Sequence, residues 1–364
     1  MNGSLDGNRY RIVLNIYQIF LIQWQIQMKT KTFDLEEKRL EEETRKREAK
    51  RVLIQLPEGL KAEGPRLASI VERTGAIAIV SADPCYGACD LATMDAKNLG
   101  ADMIIHYGHS PMVKEGGTQI LYMEARAKTS PKIAVRKAIP LLENWDKIGL
   151  VTTVQHTHAL EEAKKMLLRS GKTVAIGDAG HVKYAGQATG CDYTNAKAVS
   201  REVEAFLLIG GGKFHAIGVA LATKKPTVVA DPYEKRAYNV DEEVRKIINQ
   251  RWASISEAKK AKNFGVLIGL KIGQRRLELA VAIKERLEKN GRNATLLALR
   301  EITPEALFQF PHIEAFVNTA CPRVSVDDGA RFPKPILTPN ETLVVLGEIS
   351  WEQLCKKGWF ENTA

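Results

Sequence analysis

The chain of 364 residues is long for one ordinary domain and suits about two or three. With 45% hydrophobic and 26% charged residues it has the composition of a globular protein with ample core, which excludes a disordered chain, a collagen-like fibre and a disulfide-stapled mini-protein. Five cysteines, an odd number at low density, argue against a secreted framework and for a reducing cytoplasmic setting. The net charge of +10 favours an acidic partner (nucleic acid, a ribosome-associated protein or an anionic cofactor), with a generically basic surface as the plain alternative.

Near the N-terminus, Arg9 and Arg11 precede an apolar stretch, 12–24, broken by Asn15, Gln18 and Gln23. A spanning helix needs about 20 apolar residues, so this stretch is too short and too polar. No small-residue cleavage site follows it, which argues against a signal peptide. Residues 1–27 are therefore read as an upstream extension, with the compact protein beginning at Met28. From 33 to 51 the chain is nearly all charge with Leu35 and Leu40 as apolar markers, the pattern of a solvated helix.

A recurring pattern follows. The apolar run 52–56 predicts a buried strand that stops at Pro57; a helix to Arg73, a strand at 76–80, a helix over about 90–100 and a strand at 103–106 come next. The second copy opens at 148–151 and continues with a helix at 160–169 and strands at 173–176, 216–219 and 227–230. The third opens at 265–268, has a helix over 275–288 ended by Asn290-Gly291, and strands at 294–299 and 315–318. Strand–helix alternation, three times over about 100 residues each, predicts parallel sheets covered by helices. The expectation is a triangular, pseudo-threefold set of three similar α/β domains at 28–132, 133–236 and 237–364. Chemistry in such sheets gathers beyond the carboxyl ends of the strands.

Four of the five cysteines sit in loops expected there: Cys85 and Cys89 in copy one, Cys191 in copy two and Cys321 in copy three. A lone cysteine is usually a small buried hydrophobe. Cysteines in equivalent loops of three repeats would converge if the domains form a triangle, and a three-thiolate pocket suits a metal or an iron–sulfur cluster with one open position. Structural zinc is disfavoured because Cys85-x₃-Cys89 has no second pair, and His156 and His158 would point to opposite sides of an extended segment. Gly210-Gly211-Gly212 lacks a helix-opening context and is expected to be a flexible turn. The basic excess carries no aromatic RNA-binding motif, so direct nucleic-acid binding is not expected.

The stretch 83–90 (DPCYGACD), 106–110 (HYGHS), Gly190-Cys191-Asp192, Cys321-Pro322-Arg323 with Asp327-Asp328, and 347–352 (GEISWE) together resemble the 2-(3-amino-3-carboxypropyl)histidine synthase family, the archaeal radical enzymes of diphthamide biosynthesis. The likeness runs from about residue 30 to the C-terminus. It implies a noncanonical radical S-adenosylmethionine enzyme in which Cys89, Cys191 and Cys321 hold a [4Fe–4S] cluster, with Cys85 outside the ligand set. The implied reaction moves the 3-amino-3-carboxypropyl group of S-adenosylmethionine to a histidine imidazole carbon of translation elongation factor 2 and releases methylthioadenosine. The resemblance also implies a homodimer and an electron donor.

An imidazole carbon is a poor nucleophile, and a one-electron reductant acting on a sulfonium avoids that difficulty. The protein's task is to hold the cosubstrate in one pose. The chain lacks the C-x₃-C-x₂-C run usual for radical enzymes, in keeping with an unusual bond cleavage. Gln55, Pro57 and Gly59 after the first strand, Gln274 after the corresponding strand of copy three, and Arg323 are candidate cosubstrate-binding residues, with loop capping or ion pairing as the alternative for each. His106 and His109 either line the pocket or end a strand; no catalytic residue is assigned. Two other readings stay open: a quinolinate-synthase-like dehydratase using its cluster as a Lewis acid without a reductant, and a non-catalytic subunit that passes electrons.

Overall fold

The computed structural model describes residues 32–112, 117–178 and 180–360. The extension read at 1–27 and the start read at Met28 lie outside them. Strand β1 (Phe33–Asp34) leads into a helix, Glu37–Lys46, which is charged as expected but buries Leu40 and Thr44. Strands β2 (Arg51–Gln55), β3 (Ile77–Val80), β4 (Met103–Tyr107) and β5 (Gln119–Met123) form a parallel sheet in the order β3-β2-β4-β5. The short β6 (Arg126–Ala127) returns to pair antiparallel with β1.

The next sheet comprises β7 (Lys147–Thr152), β8 (Thr173–Ala175), β9 (Ala205–Ile209), β10 (Thr227–Asp231) and β11 (Arg236–Asn239), in the order β11-β10-β9-β7-β8. The last comprises β12 (Asn263–Gly269), β13 (Asn293–Leu299), β14 (Ala315–Asn318) and β15 (Ile336–Leu337), in the order β13-β12-β14-β15. Numbered within its own unit, each sheet reads second, first, third, fourth strand, and only β11 runs against its neighbours. The α/β class with parallel sheets is thus as expected, and the same winding occurs three times. Such sheets bury both faces, which is why β4, β9 and β10 are buried at every position.

Two expectations need correction. The run at 216–219 is not a strand: it lies in the helix Phe214–Thr223, and the strand of that region is β9, just upstream. A short, wholly apolar run does not by itself distinguish a buried helix from a buried strand. Consequently Gly210-Gly211-Gly212 does connect a strand to a helix, and the Gly212 N–H donates to Asp231 Oδ2 at 3.1 Å. The second sheet also continues past 236, because β11 begins there and pairs with β10.

The first unit has its own apolar core, including Leu40, Ile54, Leu67 and Ile105. The second and third share one, running from Phe206 and Val219 to Phe264 and Val317. The helix Phe214–Thr223 lies at that shared boundary, where a Cβ on Gly218 would stand 1.8 Å from Tyr193 Oη and 2.9 Å from Arg323 Nη1. Close approach there requires glycine.

Candidate metal centre

Three cysteines from the three units line one cavity of about 610 Å³ beyond the strand ends: Cys89, Cys191 and Cys321. Cys89 follows β3 and Cys191 follows β8, the second strands of their units, whereas Cys321 directly follows β14, a third strand. The loops are therefore not equivalent in the three repeats, contrary to expectation. They still meet because the second and third strands flank the first, so either loop opens onto the same crevice.

Each cysteine is held by its surroundings. The Cys89 carbonyl accepts from the Gly273 N–H at 2.9 Å, and Gln274 Nε2 lies 3.3 Å from Cys89 Sγ as donor. Cys191 follows Gly190, where an added Cβ would stand 3.1 Å from the Phe214 ring. The Cys321 carbonyl accepts from Asn318 Nδ2 at 2.7 Å. Burial pushes the Cys89 and Cys321 thiols up and Cys191 to about 12; charge on a neighbouring sulfur adds to the shift of Cys89 and of Cys191. Arg276 is the counterweight: burial lowers its pKa while the three sulfurs raise it.

The donor set fits an iron–sulfur cluster better than a single ion. Among the described residues the one group of three His, Cys or acidic donors lying within 4.8 Å of one another is Cys85, His106 and His109, not the cavity trio. Thiols that feel one another electrostatically yet stand too far apart for one ion match a cube whose irons sit at separate corners. Buried thiols that resist ionisation alone become thiolates against such a cation.

Gln274 and Arg323 line the cavity, while Gln55, Pro57 and Gly59 do not. Gln55 is buried and ties the Cys89 loop from below: its Nε2 donates to the Asp90 carbonyl at 2.6 Å and its Oε1 accepts from the Ala92 N–H at 3.2 Å. Pro57 packs beneath Gly108, and a Cβ on Gly59 would meet nothing. Arg323 is already engaged. Its Nε is 2.5 Å from Asp327 Oδ2, its Nη2 donates to the Phe214 carbonyl at 2.8 Å, and its guanidinium stacks 3.8 Å above the Phe214 ring. Asp327 is itself pushed up to about 6 by burial, against the pull of Arg323.

The sequence reading did not single out Lys271, whose Nζ lies 2.9 Å from Asp90 Oδ2 and 2.8 Å from Glu301 Oε1. This triad joins the Cys89 loop to two loops of the third unit. Asp90 adjoins a motif cysteine, but its partners lie far off in the chain. His109 and His215 also reach the cavity, and burial lowers them to about 4 and about 3, so both are neutral imidazoles. His156 instead pairs with Tyr233 Oη at 2.9 Å.

The model of the diphthamide synthesis protein family matches residues 56–355. The chain is 40% identical over 301 residues to 2-(3-amino-3-carboxypropyl)histidine synthase of Pyrococcus horikoshii, covering 82% of this chain and 86% of that one. It is 32% identical over 315 residues to subunit 1 of the human 2-(3-amino-3-carboxypropyl)histidine synthase, covering 84% and 70%. The crystal structure of Dph2 from Pyrococcus horikoshii with a 4Fe-4S cluster superposes with a TM-score of 0.80 at 38% identity, covering 87% of this chain and 92% of that one. With matches of that extent, the chain belongs to the diphthamide synthesis protein family.

Proposed function

We propose that this protein is a 3-amino-3-carboxypropyl transferase that modifies a histidine imidazole carbon of translation elongation factor 2, using S-adenosylmethionine and a [4Fe–4S] cluster held by Cys89, Cys191 and Cys321. The observation that carries this reading is the convergence of three cysteines, from three separately wound sheets, on one cavity. The names and cluster of its relatives support the same chemistry. When bound and reduced, the cluster supplies the electron that cleaves a carbon–sulfur bond of the sulfonium.

The chain's own residues supply position and charge. Gln274 donates toward Cys89 Sγ and steadies a thiolate there. Arg276 offsets the negative charge that three thiolates bring into a buried site. Arg323, clamped by Asp327 and Phe214, forms a fixed wall rather than a free cation, so a cosubstrate carboxylate gains from it only beside Asp327. Lys271, between two carboxylates, is another cation of the lining. Neutral His215, which takes no part in any metal-donor group among the described residues, is able to accept a proton when the imidazole product rearomatises.

The reading includes a homodimer, a separate electron donor and a cytoplasmic setting. Among the described residues no helix is long and apolar enough to cross a membrane. The test is anaerobic reconstitution followed by incubation with S-adenosylmethionine, dithionite and elongation factor 2. The expected result is release of methylthioadenosine and a factor heavier by one aminocarboxypropyl group. Turnover of a small substrate without reductant would favour the Lewis-acid dehydratase instead.

A further inference from the structure

Beside the cavity, Cys85, His106 and His109 bring three donor atoms within 4.8 Å of one another. Cys85 leaves the chain four residues before Cys89, and His106 is the penultimate residue of β4. Gly108, at φ +81, turns the chain so that His109 folds back on His106 with ring centroids 5.1 Å apart. His106 Nε2 and His109 Nδ1 are 3.0 Å apart. Two nitrogens sharing a zinc-class ion at about 2.0–2.1 Å each stand roughly 3.4 Å apart in a tetrahedron, close to that spacing.

The tautomer of His106 is fixed from behind. Gln55 Nε2 donates to the Asp90 carbonyl, so Gln55 Oε1 is the acceptor facing His106 Nδ1 at 2.9 Å. Nδ1 therefore carries the hydrogen, and the lone pair of Nε2 points to His109. An outer amide that orients an imidazole so that its far nitrogen is free is the arrangement found behind metal-ligating histidines. Cys85 and His106 are buried, while His109 reaches the cavity wall, so an ion here has an entry path on one side only.

We propose that Cys85, His106 and His109 form a second metal site, distinct from the three-cysteine centre, that binds one divalent ion of the zinc class with its fourth position toward the cavity. One thiolate with two imidazoles is a donor set of matching softness. Binding releases one proton, from the Cys85 thiol; the hydrogen on His109 Nδ1 moves to its other nitrogen with no net loss. The ion fastens the segment carrying Cys89 to β4, so the site acts as a clasp for the neighbouring cluster loop. This inference rests on the geometry of these residues and stands whether or not the transferase reading holds.

The test uses the full chain with its cluster reconstituted anaerobically, equilibrated in zinc-buffered solutions and analysed for zinc and iron. The expected result is one zinc per chain with iron unchanged, and a zinc-edge absorption spectrum showing one sulfur and two nitrogen neighbours. Cys85→Ala and His106→Ala should weaken zinc uptake at least about 100-fold, and Gln55→Leu roughly 10–100-fold. The proposal is overturned if wild type takes up no zinc, if both variants retain it, or if zinc enters at the expense of iron with three sulfur neighbours. Should the variants fail to fold, the neighbour count in wild type decides alone.

Discussion

Replacing Gly273 with alanine tests whether the third unit sets the position of a cluster-loop cysteine in the first. A Cβ at Gly273 would stand 2.5 Å from Cys89 Cα, 2.7 Å from Cys89 Cβ and 2.9 Å from its carbonyl oxygen. Gly273 is not among the glycines with positive φ, so alanine meets no backbone strain and the effect is steric. Ordinary contact begins at 3.4 Å, so one loop must retreat by about 1 Å. The obstacle is main chain and cannot rotate away. Overpacking of this kind costs about 1–3 kcal/mol, and stretching the hydrogen bond from the Gly273 N–H to the Cys89 carbonyl adds about 1 kcal/mol. A shift of that size at a positioning contact lowers turnover on the order of 100-fold. Methylthioadenosine release, iron per chain and the denaturation midpoint read the three consequences separately. A Gly273→Ala protein equal to wild type in all three would refute the idea that this docking positions Cys89.

Serine at Cys89, Cys191 or Cys321 should each abolish the visible cluster absorption under anaerobic conditions, whereas Cys355→Ser, in the helix Trp351–Lys357, should leave it intact. Glu341→Gln should destabilise the third unit by about 3–5 kcal/mol, because it leaves the fully buried Arg251 guanidinium without its carboxylate. Trp359, which donates to Glu341 Oε1 at 2.8 Å, provides the fluorescence signal for denaturation. Glu124 links the first unit to Lys183 and Tyr184 of the second; burial pushes its pKa up, but their hydrogen bonds outweigh it and hold it below the ordinary 4.5. A depressed carboxyl stabilises the fold above its ordinary value and loses that contribution as pH falls through the folded one. The stability gap between wild type and Glu124→Gln should therefore be widest near neutral pH and close progressively below 4.5, as read by denaturant midpoints across that range.

The repeated winding was legible because buried parallel strands leave continuous apolar runs: β2, β7, β12 and β14 lie where the pattern placed them. The misreading at 216–219 came from the same rule, since the helix Phe214–Thr223 is apolar on nearly all sides where two units enclose it. The short edge strands β11 and β15 carry too few residues for a periodic signal. The candidate ligands were reached through the motifs around them, not by spacing alone. What stayed hidden was contact between units. Lys271 meets Asp90 across a separation of 181 positions of unrelated sequence, and no local pattern marks either. Likewise His106 and His109 sit three apart, a separation that brings side chains together in a helix but not along a strand. The left-handed turn at Gly108 is what joins them.

Moving one cysteine from a second-strand loop to a third-strand loop leaves the third unit with a loop to spare. The segment after β13 holds no sulfur, and Arg300, Glu301, Thr303 and Glu305 line the cavity from it. The corresponding segments of the other two units carry Cys89 and Cys191. The chamber is accordingly uneven: the loop after the second strand brings sulfur in two units and charged and polar groups in the third. A visitor bearing both an ammonium and a carboxylate experiences an uneven field from the moment of entry, and its heading is chosen before any bond is touched.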